Sequence, residues 1–371
     1  MQETLRVVFA GGGTGGHLFP ALNMADVLRE KGNCDCLFFG TERGLEKTKV
    51  PQAGYPLVML PVAGIQRRLT MKNLAAPWKL YRSMNISRKK LQAYRPHLVI
   101  GTGGYVMGPV LRSAQNMNIP TVLQEQNSYP GLTTRLLSKR ATLVLLAYRE
   151  AALYMYRGQK VVVTGNPVKI PPVTFKKEDV YERFELQPDK KMILVFGGSQ
   201  GAQSINRAIK DFLKKEKLPP NYQILWQTGK QDYEAVSRFL NREKLDFVKV
   251  TPFIERMFEV YSITDFAVCR AGAMTLSELA AAGVPAVLVP YPHAAADHQM
   301  KNARALEERK AAVVVKDDFQ LTENLTYYLL DLSHDITKKE VMRDNLLSME
   351  AGKGLDRIMA ELDRLIGDIR N

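Results

Sequence analysis

Cysteine is scarce in this sequence, which has only three such residues among 371: Cys34, Cys36 and Cys269. Three cysteines are too few for a disulfide framework, and none has the paired C-x-x-C spacing of a zinc site. Long apolar runs are also missing, because none approaches the roughly 18 residues that span a bilayer. The first residues lack the charged and apolar regions of a signal peptide. We therefore expect a cytoplasmic chain in which Cys34 and Cys36 pack within a strand.

Acidic residues are missing from residue 47 to residue 124, although this segment contains twelve Lys or Arg residues. The whole chain has a net charge of +14. Such an excess is typical of proteins that meet nucleic acid, an anionic membrane or an anionic substrate. No nucleic-acid recognition motif accompanies the charge, and stacking aromatic residues are sparse, so we expect no nucleic-acid partner.

One stretch of that segment, residues 65–82, interleaves basic side chains with apolar ones. This composition is typical of a surface that lies in a lipid headgroup layer. The alternative is a solvated helix whose apolar residues contact the core, but the missing acidic partners favour the membrane. The expected membrane contacts are Ile65, Arg67, Arg68, Lys72, Leu74, Trp78, Lys79 and Arg82.

Glycine-rich turns follow three short apolar runs, each of which is typical of a buried strand. The runs are Leu5–Ala10, Leu98–Ile100 and Met192–Phe196, and the turns are residues 11–16, 101–104 and 197–201. Glycine lets the backbone approach a ligand closely, and a helix that starts behind it points free N–H groups at an anion. Three such units predict repeated binding of phosphate groups.

The alternation of strand-like and helix-like segments predicts an α/β fold with parallel, doubly wound sheets. A chain of 371 residues is too long for one core and suits two domains. Proline and glycine accumulate over residues 164–172, which is the expected passage between the domains.

Residues 270–278 combine a strand end, a glycine and the start of a helix, whose amide groups suit a diphosphate. Glu278 could accept hydrogen bonds from both hydroxyls of a ribose. The spacing of Thr275 and Glu278 also matches a capping box, in which the glutamate only secures the helix start. The residues alone leave these two interpretations equal.

Histidines follow two of the predicted strand ends. His17 comes directly after Gly15 and Gly16, where a neutral imidazole could act as a general base, although a lone histidine there is more often a polar turn residue. His293 and His298 lie five residues apart with no third ligand, so a metal site is not expected.

A dehydrogenase is the competing interpretation of the first glycine turn, since Gly11, Gly13 and Gly16 fit the dinucleotide fingerprint. A nicotinamide site requires a carboxylate at the tip of the second strand, where it holds the ribose. Here the first acidic residue, Glu42, lies in the following loop. The placement argues against a dehydrogenase.

Six motifs follow one another along the chain: residues 12–17 (GGTGGH), 103–109 (GGYVMGP), 125–127 (EQN), 165–168 (GNPV), 197–202 (GGSQGA) and 272–278 (GAMTLSE). In this order they give the sequence a close resemblance to the MurG family of bacterial glycosyltransferases. The resemblance extends beyond Gln299 and covers nearly the whole chain.

The resemblance implies a GT-B fold, with two Rossmann-like domains facing across a cleft. It implies an inverting transfer of N-acetylglucosamine from UDP-N-acetylglucosamine to the 4-hydroxyl of undecaprenyl-diphosphate-linked N-acetylmuramyl-pentapeptide. The sequence has no D-x-D pair placed at a strand end in a glycine turn, so we expect the transfer to be independent of metal. The implied domains are 1–164 for the acceptor and the membrane, 165–348 for the UDP-sugar, and a helix over 349–371 that returns to the first domain. The implied location is the cytoplasmic face of the inner membrane, on anionic lipid, and no cofactor is implied.

Site residues carry over from the resemblance at matching positions. The implied catalytic residues are His17 and Glu125, and either of them or a water could take the proton. The acceptor diphosphate contacts are Gly103, Gly104 and Tyr105. The implied donor contacts are Thr14, Gly15, Gly16, Asn127, Lys169, Ser199, Ile254, Ala273, Met274, Thr275, Leu276, Ser277, Glu278 and Gln299. The resemblance favours Glu278 as a ribose ligand over its role in a capping box.

Two positions depart from the family pattern. Lys169 stands where arginine is common, which replaces a bidentate diphosphate contact by a point charge, and Ala271 stands where serine is common.

The alternatives to the implied function are a related transferase that glycosylates diacylglycerol and a non-catalytic nucleotide-binding protein tethered to the membrane.

Overall fold

The computed structural model describes residues 4–42, 44–62, 76–172, 174–198 and 201–370. The chain forms two compact units. Unit 1 comprises Met1–Lys169 together with Lys353–Asn371, and unit 2 comprises Ile170–Gly352. The last helix thus belongs to the same unit as the first strand.

Unit 1 is built on a parallel sheet of seven described strands in the order β3-β2-β1-β4-β5-β6-β7. The strands are β1 Leu5–Gly11, β2 Cys34–Thr41, β3 Leu57–Leu60, β4 Leu98–Gly103, β5 Thr121–Glu125, β6 Leu143–Leu146 and β7 Val161–Val163. The helices are α1 Gly15–Glu30, α2 Glu46–Gln52, α3 Ala76–Tyr94, α4 Gly104–Asn116 and α5 Leu132–Ser138, and a short 3-10 helix spans Arg149–Tyr154.

Strand β1 shows why this sheet is parallel and central. Val7, Val8, Phe9 and Ala10 are all fully buried, because helices cover both faces of the sheet. Alternate side chains point to opposite faces, so Val7 and Phe9 belong to one hydrophobic cluster and Val8 and Ala10 to the other. The C-terminal helix packs on the Val7 face.

Unit 2 contains a parallel sheet whose six described strands run in the order β10-β9-β8-β11-β12-β13. The strands are β8 Lys191–Phe196, β9 Tyr222–Gln227, β10 Val248–Thr251, β11 Thr264–Cys269, β12 Ala286–Leu288 and β13 Val313–Val314. The helices are α6 Lys177–Arg183, α7 Gln203–Lys215, α8 Tyr233–Glu243, α9 Met257–Tyr261, α10 Ala273–Ala282, α11 His298–Glu307, α12 Leu321–His334 and α13 Ile336–Ser348, and a short 3-10 helix precedes α11. Another 3-10 helix precedes the C-terminal helix α14, Gly354–Arg370, which belongs to unit 1.

Both sheets have the strand order of a dinucleotide-binding fold, in which the chain reverses direction across the sheet next to its first strand. The reversal falls between β1 and β4 in unit 1 and between β8 and β11 in unit 2. Ligands of open parallel sheets bind outside the carboxyl ends at this point. The described residues of the predicted glycine turns lie at these carboxyl ends.

The opposite end of the unit 2 sheet is secured by a buried charge. Lys339 of α13 is 3% exposed, donates to the Tyr222 hydroxyl at 2.7 Å and pairs with Asp265. Tyr222 also donates to Asp265 at 2.8 Å. Burial lowers the pKa of Lys339, although its bond with Asp265 acts in the other direction.

We predict that Lys339→Ala destabilises the protein by about 3–5 kcal/mol, because Asp265 is left as an uncompensated charge in a largely buried position. Urea denaturation followed by circular dichroism gives the free energy of unfolding. The double variant Lys339→Met with Asp265→Asn removes both charges and should lose distinctly less stability. Equal losses in the two variants would show that the pairing does not matter.

Candidate active site

The first glycine turn presents free amide groups at the start of α1. Gly13 has φ +86°, and Thr14 is the N-cap residue, whose side chain makes no capping hydrogen bond. No acidic residue lies in the first helical turn. The N–H groups of Gly15 and Gly16 therefore remain open to an anion, as predicted for a phosphate-binding turn.

A buried carboxylate, Glu46, holds this turn in place. One of its oxygens accepts from Gly13 N at 2.9 Å, and the other accepts from Thr41 N at 2.8 Å and from the Thr41 hydroxyl at 2.7 Å. The residue is fully buried. A side chain at Gly12, Gly40 or Gly44 would collide with it. Glu46 thus joins the tip of β2 to the turn after β1, a role that no sequence motif indicated.

The second glycine turn contacts the first. Gly103 and Gly104 have φ +115° and +78°, and a Cβ at Gly104 would strike the carbonyl oxygen of Gly12. Helix α4 begins at Gly104 with no acidic residue in its first turn, and Tyr105 is 57% exposed. Two open helix N-termini therefore lie side by side in unit 1.

His17 is seated between these turns. A Cβ at Gly103 would collide with its imidazole ring, so glycine there makes room for the ring. The Thr102 hydroxyl donates to His17 O at 2.7 Å, and His17 Nδ1 lies 3.2 Å from Gln126 Oε1. The ring is partly exposed. The structure therefore places His17 where a general base could reach a ligand held by either turn.

Glu125, the other residue expected to take the proton, is engaged by its own loop. Its Oε1 accepts from Asn127 N at 3.2 Å and from Asn127 Nδ2 at 3.1 Å, and its Oε2 accepts from Gly131 N at 3.1 Å. The residue is 4% exposed. Its carboxylate shapes the loop that carries Asn127, which leaves it less suited to proton transfer than His17.

Lys169 lies at the far end of α1. Its ammonium group is 2.7 Å from Glu30 Oε1 and 3.6 Å from Asp26 Oδ2. These carboxylates belong to the last turns of the helix, roughly 16–22 Å along its axis from Gly15. The structure does not bring Lys169 to the glycine turns of its unit.

In unit 2, Gln227 connects the third glycine turn with Ile254. Its Nε2 donates to Gly198 O at 2.9 Å, and its Oε1 accepts from Ile254 N at 2.9 Å. Ser199, the expected diphosphate contact, lies outside the described residues. Ile254 lines a cavity of about 350 Å³, together with Arg183, Phe184, Phe253, Glu255 and Arg256. Two aromatic rings and two guanidinium groups suit a planar, polar base.

Helix α10 begins at Ala273, with Gly272 as its N-cap residue. Thr275 and Glu278 are consequently the third and sixth helical residues, and no capping side-chain bond is present. The capping-box interpretation is wrong, because the helix starts three residues earlier than it requires. Of the expected donor contacts here, Ala273, Met274, Leu276 and Ser277 are buried and Thr275 is partly exposed.

Glu278 has an environment unlike that of a surface carboxylate. Burial raises its pKa to about 7, and the hydrogen bond from the Tyr261 hydroxyl, 3.3 Å from Oε2, acts in the opposite direction. A carboxylate that is poorly solvated gains from new hydroxyl donors. This fits a ligand for the two hydroxyls of a ribose.

Arg270 organises the carboxyl ends of three strands. Its guanidinium donates to Asp317 Oδ2 at 2.7 Å, to Val289 O at 3.1 Å and to Ser204 Oγ at 2.9 Å. Arg270 and Asp317 are each only 12% exposed. The arginine links the ends of β11, β12 and β13 to the start of α7. It was visible in the sequence, but nothing there indicated its partners.

The loop before α11 carries strained backbone. Ala296 and Asp297 have φ +52° and +56°, a left-handed conformation that costs non-glycine residues roughly 1–3 kcal/mol. Gln299, an expected donor contact, accepts from Tyr291 N at 2.9 Å, which closes the loop on itself. Strain of this kind concentrates at functional loops.

Of the expected membrane residues, Trp78, Lys79 and Arg82 lie in the first turns of α3 and are exposed. Trp78 is 66% exposed and stacks on Tyr81 with ring centroids 5.8 Å apart. The other expected membrane residues lie outside the described residues: Ile65, Arg67, Arg68, Lys72 and Leu74.

No described helix is both long and apolar enough to cross a bilayer. Within the described ranges, no three His, Cys, Asp or Glu side chains are grouped as metal ligands.

Two family models match the chain. The glycosyltransferase family 28 N-terminal domain matches residues 7–146, and the glycosyltransferase family 28 C-terminal domain matches residues 192–358. The two matches fall in unit 1 and largely in unit 2, respectively.

Curated relatives match over nearly the full length. A protein of Christiangramia forsetii is 39% identical and covers 99% of this chain and 100% of its own. One of Caldanaerobacter subterraneus is 40% identical, with coverages of 89% and 92%. Both are named UDP-N-acetylglucosamine–N-acetylmuramyl-(pentapeptide) pyrophosphoryl-undecaprenol N-acetylglucosamine transferase.

Solved structures show the same architecture. The crystal structure of Acinetobacter baumannii MurG superposes with a TM-score of 0.69 at 30% identity and covers 95% of each chain. A glycosyltransferase of kitacinnamycin superposes with a TM-score of 0.72 at 14% identity, which concerns the fold alone. The predicted α/β fold class, two Rossmann-like domains of the GT-B type, is confirmed.

We predict that Glu46→Gln destabilises the protein by about 1.5–3 kcal/mol, because buried hydrogen bonds to a charged acceptor are lost. Glutamine keeps only one acceptor oxygen, so amide exchange should accelerate selectively at Gly13 or at Thr41, as measured by hydrogen–deuterium exchange. Glu42→Gln, at an exposed position of the same loop, is the matched control and should change stability by less than about 0.5 kcal/mol. Unchanged exchange at both Gly13 and Thr41 would contradict the role assigned to Glu46.

Proposed function

This chain belongs to glycosyltransferase family 28, and from that membership we propose that it transfers N-acetylglucosamine from UDP-N-acetylglucosamine to lipid-linked N-acetylmuramyl-pentapeptide in peptidoglycan synthesis. It is a hexosyltransferase of the MurG type, and its product is the disaccharide-pentapeptide lipid. At the level of residues, the proposal rests on the position of His17 between two glycine turns. Each turn is followed by a helix whose N-terminal N–H groups are open to a ligand.

The donor contacts we assign lie in both units. In unit 2, Ile254 and its cavity receive uracil, Glu278 receives the ribose hydroxyls, and the start of α10 receives the diphosphate. The cavity geometry and the raised pKa of Glu278 support these roles. Gln299 and Asn127 are assigned to the sugar, and Thr14, Gly15, Gly16 and Ser199 complete the set. Lys169 is a weaker candidate for the diphosphate, since Asp26 and Glu30 already hold its charge.

The acceptor diphosphate is assigned to the second glycine turn, through the N–H groups of Gly103, Gly104 and Tyr105. His17 takes the proton from the attacking hydroxyl of N-acetylmuramic acid, and the oxygen then attacks the anomeric carbon as UDP leaves, with inversion. Charge on the departing UDP is neutralised by helix N-termini, so no metal ion takes part. Support for His17 over Glu125 comes from the hydrogen bonds that already occupy both oxygens of Glu125.

The domain roles follow the same division. We propose that residues 1–164 bind the acceptor and an anionic membrane, that residues 165–348 bind the UDP-sugar, and that the helix over 349–371 completes the first domain. The protein would then act as a peripheral protein on the cytoplasmic face of the inner membrane, where its acceptor is anchored. The exposed Trp78, Leu80 and Tyr81 beside Lys79 and Arg82 support a membrane contact.

A transfer assay separates the proposed reaction from its alternatives. Radiolabelled UDP-N-acetylglucosamine should label the muramyl-pentapeptide lipid and leave diacylglycerol unlabelled, and the rate should survive EDTA. The new linkage should be β, by proton coupling constants in the isolated product. Label in diacylglycerol alone would identify a glycolipid transferase, and nucleotide binding without transfer to either lipid would identify a non-catalytic protein.

The raised pKa of Glu278 predicts that donor affinity increases with pH. Ribose hydroxyls donate to the ionised carboxylate, so binding favours deprotonation, and affinity for UDP-N-acetylglucosamine should rise about tenfold from about pH 6 to about pH 8. The ligand itself does not titrate in this interval. Calorimetry at several pH values measures the effect.

The control for this measurement is Glu278→Gln, which keeps the shape of the side chain and removes its titration. The variant should bind more weakly at about pH 8, by roughly 1.5–3 kcal/mol, and should show no dependence on pH. A native protein whose affinity is constant over this interval would exclude Glu278 as the ribose ligand.

Membrane association is predicted to depend on the basic residues of 65–82. Each Lys or Arg near an anionic surface contributes about 1 kcal/mol, so their replacement by Gln should release the protein from vesicles of anionic lipid at low salt. The variant replaces Arg67, Arg68, Lys72, Lys79 and Arg82. A control with the same loss of charge replaces exposed residues of unit 2: Lys215, Lys217, Arg238, Arg242 and Lys244. Equal sedimentation of both variants would show that this face is not the contact.

A further inference from the structure

Gln126 has an amide group whose orientation is fixed by its neighbours. The residue is 2% exposed, and its Nε2 lies 2.8 Å from Thr102 O and 3.1 Å from Gln124 O. Both atoms are main-chain carbonyl oxygens, which accept hydrogen bonds and never donate them. The nitrogen of the amide must therefore face these oxygens, because the reverse orientation would place Gln126 Oε1 against two acceptors.

A ring of neighbouring amides reinforces this orientation. Gln124 Oε1 is a third acceptor, 2.5 Å from Gln126 Nε2, so one of the two N–H groups is shared between two oxygens. Gln124 Nε2 donates to Asn166 Oδ1 at 3.3 Å. Asn166 Nδ2 then donates to the main-chain oxygen of Gln126 at 3.2 Å. Each donor in the ring meets an acceptor, and all three side chains are buried. A flip of any one amide would break the sequence of donors and acceptors.

The oxygen of the Gln126 amide consequently faces His17 Nδ1, at 3.2 Å. An amide oxygen is only an acceptor, so Nδ1 must carry the hydrogen. Since a neutral imidazole has one N–H, Nε2 then has a free lone pair. The described residues make no hydrogen bond with Nε2.

We propose that Gln126 is a positioning residue that fixes His17 as its Nδ1–H tautomer and thereby makes Nε2 the atom that accepts the proton of the acceptor hydroxyl. The catalytic part of this inference rests on the proposed function. When Nε2 takes that proton, the Nδ1–H bond to Gln126 persists, so the seat fits the imidazole before the transfer and the imidazolium after it. Gln126 itself touches no substrate.

The tautomer can be measured in the native protein, without any variant. Nitrogen-15 NMR of the full chain labelled at histidine distinguishes a protonated ring nitrogen from an unprotonated one, at a pH where the imidazole is neutral. The chain has five histidines, and the signals missing from His17→Asn identify those of His17. We expect Nδ1 to be protonated and Nε2 to be unprotonated. The reverse assignment in the native protein would overturn the proposal.

Two variants of equal size test the cause. Gln126→Met removes the acceptor for Nδ1–H, so we expect the fraction of the Nδ1–H tautomer to fall and kcat to fall in proportion to that fraction, with KM for both substrates within about twofold. Gln124→Met removes one acceptor of Gln126 but leaves the two main-chain oxygens, so the native tautomer should persist. An unchanged tautomer in Gln126→Met would overturn the role of Gln126.

The two readouts separate this inference from the proposed function. A tautomer that changes in Gln126→Met while kcat stays at the native value would confirm the positioning and remove His17 as the base. Loss of kcat in His17→Asn together with the expected spectra would support both the positioning role of Gln126 and the role of His17 as the base.

Discussion

The close contact of two glycine turns is the constraint on which the unit 1 site depends. The carbonyl oxygen of Gly12 occupies the space of a side chain at Gly104, and the imidazole of His17 occupies that of a side chain at Gly103. Only residues without a Cβ allow the ends of β1 and β4 to meet so closely at positive φ. Both open helix N-termini and the imidazole are brought to one place by this contact.

The two units organise their candidate sites with different chemistry. Around His17 the partners are neutral amides and main-chain oxygens, which orient a ring without adding charge beside it. In unit 2 the partners are charged: Arg270 and Asp317 form a nearly buried pair, and Glu278 sits where burial makes its ionisation costly. Uncharged partners suit a base that must gain a proton. A poorly solvated carboxylate suits the binding of hydroxyl donors.

The sequence was sufficient to predict the architecture, because fully buried parallel strands read as continuous apolar runs and the glycine turns mark their ends. It was insufficient for β3, Leu57–Leu60, whose first three residues are only partly buried. Glu46 lies 33 residues from Gly13, and Asp317 lies 47 residues from Arg270, and no local pattern records such distances. The motif that contains Gln126 was recognised, but its function depends on Thr102 and Asn166, which only the fold brings near. The roles of the individual site residues and the domain boundaries remain predictions.

The three glycines packed around the Glu46 side chain limit which substitutions this region can accept. A side chain at Gly12, Gly40 or Gly44 would collide with the side chain of Glu46. Substituting any of the three while Glu46 remains creates a collision, and replacing Glu46 alone leaves the N–H groups of Gly13 and Thr41 without their acceptor. The four positions therefore constrain one another, and we expect a substitution at one of them to destabilise the chain unless a second substitution compensates for it.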